Sequence, residues 1–147
     1  MLTKVGVDGI FHTASPIDFS ITTFEEMVTP AVRGAETILA SALKAGPQLT
    51  SVVVTSSTIA VVNPVEGEYV FTENDYATFA LDKALKDKEA GEKSPSSILY
   101  GASKTASDRA VWKFRDEHKV RPLTQAREPL LTEDSQNSPS QQSTPQL

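Results

Sequence analysis

Residues 51–62, SVVVTSSTIAVV, most narrow what this chain can fold into. The run is almost continuously apolar and β-branched, without the alternation of a half-exposed strand. It suits a strand covered on both faces, as in a parallel sheet. Upstream, residues 24–45 (FEEMVTPAVRGAETILASALKA) keep a helical period, with Ala31, Val32, Ala35, Ile38, Leu39, Ala42 and Leu43 on one stripe. Pro30 either takes the first helical position after Thr29 or kinks a longer helix, and Gly46-Pro47 stops it. Before the helix, VGVDGIFHTA contains a short buried strand near 9–13, entered by turn chemistry at Asp8-Gly9 and ended by Ser15-Pro16. Strand, long helix and buried strand make a βαβ unit with a right-handed crossover, so the fold class is α/β.

Residues 63–97 change character. They are polar and of mixed charge, and are read as a short helix near 76–88 followed by an exposed loop broken at Gly91 and Pro95. A small-residue-rich helix spans about 99–118. After Pro122 the pattern decays, with no strand-like run, into SQNSPSQQSTPQL, which carries too little apolar surface to offset its ordering entropy. The expected organisation is a folded domain over residues 1–122 and a disordered tail over 123–147.

Composition removes several classes of function. The 147-residue chain has a net charge of −5 and no basic stripe, which argues against nucleic acid as a partner. It has no cysteine, and its two histidines, His12 and His118, stand far apart, so no metal centre is expected. No apolar run approaches the length that crosses a bilayer, and the N-terminus lacks the pattern of a secretory signal. The expectation is a cytoplasmic protein without a membrane partner.

The chemistry candidates lie on the last helix and at the strand ends. Tyr100 and Lys104 stand one helical turn apart in SSILYGASKTASDRAVWKF, on one face. A cation beside a phenol stabilises the phenolate, which suits Tyr100 to proton donation and Lys104 to tuning it. On spacing alone, two solvated side chains on one helix face account for the pair equally well. Ser56 and Ser57 lie at the carboxyl end of the buried strand, where open α/β sheets place their ligands. A hydroxyl there can stabilise charge on a carbonyl oxygen, or it can satisfy backbone groups at the strand end. The segment GIFHTASP, at the end of the first strand, would turn the backbone of Thr13, Ala14 and Ser15 toward the same crevice. His12 reads as a structural histidine.

In this order, VDGIFHTASP, PAVRGAETIL, VVVTSSTIAVV and YGASKTASDRAVWKF resemble the extended short-chain dehydrogenase/reductases, in particular the dihydroflavonol reductase-like and fungal ketone/aldehyde reductase branch. The resemblance covers roughly residues 5–122. It implies a Rossmann-like doubly wound parallel sheet and NADP as cofactor, with NAD as the alternative. It further implies Ser57 as the catalytic serine, Tyr100 as general acid, and Lys104 as the lysine that tunes the tyrosine and binds the nicotinamide ribose. Thr13, Ala14 and Ser15 match the segment lining the nicotinamide side. The substrate implied is a small ketone or aldehyde.

Two features depart from the family pattern. The chain contains no G-x-x-G-x-x-G turn to receive a pyrophosphate at a helix N-terminus. Nothing after Pro122 resembles a substrate-binding domain. The expectation is therefore a partial fold, lacking the first βαβαβ half and the C-terminal substrate domain and keeping two strands of the sheet. Three readings stay open: a reductase fragment, a catalytically silent interaction module pairing through helices 24–45 and 99–118, or an epimerase or dehydratase of the same superfamily.

Overall fold

The computed structural model describes residues 8–118 and the backbone of the strand at 123–128. Strand β1 (Gly9–His12) leads to helix α1 (Phe24–Leu43), then to strand β2 (Ser51–Ser57), which runs directly into a 3-10 turn (Thr58–Ala60). Helices α2 (Thr78–Ala90) and α3 (Ser96–His118) follow, and strand β3 (Leu123–Glu128) completes the described chain.

The sheet has the order β1-β2-β3 and is parallel throughout. Gly9 stands opposite Ser51 and His12 opposite Val54, while Val52 pairs with Leu123 and Ser57 with Glu128. The βαβ reading therefore holds, with β2 at the centre. The expectation of two strands does not: residues 123–128 form a third. LTQARE carries no apolar run, so its sequence gives little strand signal. Its backbone nevertheless pairs the edge of β2 left open by β1, satisfying groups that a buried strand cannot leave unpaired. The remainder of the expected tail, 129–147, lies outside the described residues.

Helix α1 starts at Thr23, whose backbone is extended and whose hydroxyl donates to Glu26, with Glu25 and Glu26 favourably placed at the positive end of the helix dipole. Pro30 sits inside the helix rather than at its first position. Ala35 and Leu39 of α1 meet Ile10, Val52 and Val54 of the sheet and Val111 of α3 in one core cluster. Each fully buried aliphatic side chain of this kind stabilises the fold by about 1.5–3 kcal/mol. A second cluster joins Met27 and Val28 of α1, Leu81 and Ala84 of α2, and Leu99 and Ala102 of α3. Both α1 and α3 thus cover the same face of the sheet. Phe11, whose side chain points to the opposite face, is 78 % exposed.

Two local devices fix α2 and α3. Asn63 caps α2 from a distance, its carbonyl oxygen accepting from Phe79 N at 3.0 Å. At the other end Gly91, with φ of 70°, takes the left-handed turn that lets Glu92 N donate to Asp87 O at 2.8 Å. Helix α3 begins three residues earlier than the sequence suggested, directly after Pro95, whose carbonyl accepts from Leu99 N. No helix among the described residues is long and apolar enough to cross a membrane.

Candidate functional site

The carboxyl ends of β1 and β2 and the middle of α3 converge on a narrow crevice. It is lined by His12 at the end of β1, by Ala14 and Ser15 after it, by Thr55 and Ser56 of β2, and by Lys104, Ser107 and Asp108 of α3. Strand periodicity explains the serine: Val52, Val54 and Ser56 alternate onto the helix-covered face, so the last of them ends under α3. Its hydroxyl is buried and has no protein partner.

Lys104 is 7 % exposed and Asp108, one turn further on, is 1 % exposed. The Lys104 ammonium lies 5.7 Å from the centroid of the Tyr100 ring. Tyr100 itself is half-buried, and Phe19 stands against it with ring centroids 5.9 Å apart and planes tilted by 54°. Phe19 is held at the tip of a tight turn, because Asp18 accepts from both Ser20 N and Ser20 Oγ at 2.9 and 2.7 Å. Burial, and after it the positive charge of Lys104, push the His12 imidazole below its ordinary value of 6.5.

Close packing sets the Tyr100–Lys104 segment in place. A Cβ added at Gly101 would lie 3.1 Å from Ala80 Cβ and 3.6 Å from Ile59 Cγ1, so glycine permits the contact between α3, α2 and the 3-10 turn. Thr105 donates to Ala60 O at 3.3 Å and to Gly101 O at 2.9 Å, fastening the same helix face to the 3-10 turn that follows β2.

Among the residues singled out from sequence, the crevice gathers Ala14, Ser15 and Lys104. Tyr100 does not line it; its ring lies 5.7 Å from the Lys104 ammonium. Thr13 is exposed and does not line it. Ser57 ends β2 and starts the 3-10 turn, its Oγ accepting from Ile59 N at 3.4 Å, and it too lies outside the lining. Ser56, the other serine of the strand-end pair, does line it, and Ser107 and Asp108 are lining residues that the sequence reading did not reach, although the i, i+4 spacing from Lys104 to Asp108 carries a signal. The described residues hold no cluster of potential metal ligands.

An ammonium, several hydroxyls and a carboxylate converge at a strand end, where open α/β sheets bind their ligands, around a free volume of only about 10 Å³.

Fold and crevice together define an NAD(P)-type α/β domain, and comparison with known proteins gives the family. Residues 2–145 match the NAD-binding family model described as male sterility protein. Aldehyde reductase 2 of Sporidiobolus salmonicolor is 39 % identical over 119 residues, covering 78 % of this chain and 33 % of that protein. A putative NADPH-dependent methylglyoxal reductase of Candida albicans is 34 % identical over 112 residues, 74 % of this chain and 30 % of its own length. Among solved structures, yeast methylglyoxal/isovaleraldehyde reductase Gre2 complexed with NADPH superposes with a TM-score of 0.73 at 28 % identity, covering 87 % of this chain and 38 % of that one. The chain belongs to this NAD-binding family, within the extended short-chain dehydrogenase/reductases. It spans about a third of the length of the curated relatives it matches.

Proposed function

We propose that this chain carries the acid/base half of an NADP(H)-dependent carbonyl reductase site acting on a small ketone or aldehyde. The observation that carries the reading is the buried Lys104 ammonium 5.7 Å from the Tyr100 ring, at the carboxyl edge of a parallel sheet. Relatives named as aldehyde and NADPH-dependent methylglyoxal reductases supply the cofactor and the substrate class.

The bound nicotinamide supplies a hydride to the carbonyl carbon. The protein's part is proton transfer and orientation. The Tyr100 hydroxyl donates its proton to the carbonyl oxygen, leaving a phenolate that the nearby ammonium stabilises until solvent returns the proton. Lys104, with Ser15 and the backbone at Ala14, binds the ribose. Ser57 accepts from Ile59 N, which leaves its own O–H free to donate to the same carbonyl oxygen and hold it toward Tyr100.

A second reading, a catalytically silent interaction module, is favoured by one observation: no G-x-x-G-x-x-G occurs in the 147 residues. A fluorescence titration with NADPH separates the two. Saturable binding, followed by aldehyde-dependent NADPH oxidation that Tyr100→Phe abolishes, supports the reductase; no binding at millimolar NADPH supports the silent module.

A further inference from the structure

Beside the 3-10 turn lies an apolar groove that the proposed proton transfer does not use. Ile59 of the turn, Val62 and Pro64 after it, Phe79 and Ala80 of α2 and Ile98 of α3 line about 390 Å³ of free space. Its walls are preformed. Asn63 accepts from Phe79 N and donates to Tyr76 O, which locks the segment after the turn to the start of α2. Gly101 also lines the groove, and its lack of a side chain keeps α3 close to Ala80 and Ile59. Yet Phe79 is 52 % exposed and Val62 38 %, so the groove presents apolar surface to water.

The chain itself supplies an occupant. Strand β3 runs parallel to β2 and ends at Glu128, opposite Ser57. Ser57 leads straight into the turn that carries Ile59, so β3 ends on the groove's side of the sheet. The residues that follow Glu128 are Pro129, Leu130 and Leu131. Neighbouring strands lie about 4.8 Å apart, and two or three extended residues reach about 7–10 Å. Ile59 is only two residues past Ser57, so both leucines come within side-chain reach of the groove. Composition points the same way: within residues 129–147, Leu130 and Leu131 are the only large apolar residues apart from Leu147. Pairing of β3 fixes the chain just before them, which keeps the entropic cost of closing onto the groove small.

We infer that Leu130 and Leu131 dock in this groove, so that residues 129–131 form a strap across the carboxyl end of the sheet. The strap covers Val62 and Phe79 and fastens β3 to α2 and α3. It lies against Ser97, Ile98 and Gly101, which flank Tyr100 on α3, and keeps other apolar molecules out of the groove. None of this depends on cofactor binding or turnover.

The chain has no cysteine, so the full-length protein can be tested by cross-linking. Val62→Cys with Leu130→Cys puts one thiol on the groove wall and one on the strap, and a disulfide needs their Cα atoms within about 7 Å. Under mild oxidation this pair is expected to close within one chain. Adding Leu131→Ser is expected to slow closure about tenfold, because the second buried leucine no longer holds the strap. In the chain without added cysteines, Leu130→Ser with Leu131→Ser is expected to melt below the wild type and to bind more anilinonaphthalene sulfonate, a dye that reports open apolar surface. No closure, or closure that ignores Leu131→Ser, overturns the inference, the latter because it reports only random collision of a nearby chain. Cross-links that form mainly between chains and fall on dilution would give the groove to a second copy and overturn it as well. So would a double serine variant with unchanged melting and dye binding.

Discussion

Lys104 carries its ammonium 5.7 Å from the centroid of the Tyr100 ring, one turn further along α3. Lysine is rarely buried without a reason, and Lys104 is 7 % exposed. Desolvation strengthens its field at Tyr100 relative to a surface lysine. Replacing it by an apolar residue of similar length removes that field while preserving packing. Lys104→Met is expected to lower kcat/KM for aldehyde reduction by about 10²-fold, with part of the loss in the KM for NADPH. Steady-state kinetics at varied cofactor would measure both. An unchanged kcat/KM would remove Lys104 from the mechanism.

His12 reports the same charge from the other side of the crevice. Its imidazole titrates below 6.5 because of burial first and Lys104 second. The unfolded chain therefore binds a proton more readily than the folded one. Stability from keeping His12 neutral is complete above the unfolded value of about 6.5, and is lost as pH falls through it toward the folded midpoint. NMR titration of the His12 ring is expected to give a midpoint below 6.5, moving upward in Lys104→Met. A midpoint that ignores the substitution would separate the two side chains.

Asp87 ties α2 to the start of α3. Lys83 and Ser94 both donate to its carboxylate, Ser94 Oγ at 2.8 Å, and these bonds, the lysine first, hold its carboxyl below 3.8. A depressed carboxyl stabilises the fold above its unfolded value and loses that contribution as pH falls through the folded one. Asp87→Asn is thus expected to melt below the wild type at neutral pH, with the gap closing at pH values under about 3.9. Thermal melts across pH measure this directly. A gap independent of pH would mean that the ionic part of the latch contributes nothing.

Gly101 tests how tightly the Tyr100 segment is clamped. An alanine methyl would meet Ala80 at 3.1 Å, which helix propensity worth about 1 kcal/mol partly offsets. Gly101→Ala should be close to neutral. Gly101→Leu should destabilise by about 1–3 kcal/mol through overpacking, read by urea unfolding, and should push α3 and Tyr100 away from the 3-10 turn. Equal stability of the two variants would show that the contact yields freely.

Much of this was legible in the chain itself. The β-branched run at 51–57 and the apolar stripe of α1 specify the βαβ unit, because burial on the sheet requires those patterns. The rest is not legible there, for physical reasons. Strand β3 is recruited by the open edge of β2, a tertiary demand that the polar LTQARE does not announce. The pair Ser56-Ser57 looks like one signal in sequence, yet strand alternation sends the two hydroxyls to different surroundings. Phe19 is unremarkable in a polar loop until the Asp18–Ser20 turn brings it against Tyr100. Thr13 matches a family segment by sequence but does not line the crevice, which Ala14 and Ser15 of the same segment reach.

The cofactor side yields its own expectation. With no glycine-rich turn in these residues, NADPH should bind this chain more weakly than low-micromolar, through ribose-side contacts alone. Calorimetry measures it, and a low-micromolar dissociation constant would show that other residues recognise the phosphates.

The most direct test of the account is the rate of NADPH oxidation with a small aldehyde at high cofactor concentration, wild type against Tyr100→Phe. The phenylalanine keeps the ring and its packing on Phe19 and removes only the hydroxyl. Aldehyde-dependent oxidation by the wild type is expected, with a loss of about 10²–10⁴-fold in the variant, the usual worth of a general acid. Turnover that survives Tyr100→Phe unchanged, or a wild type that oxidises no NADPH while visibly binding it, would contradict it.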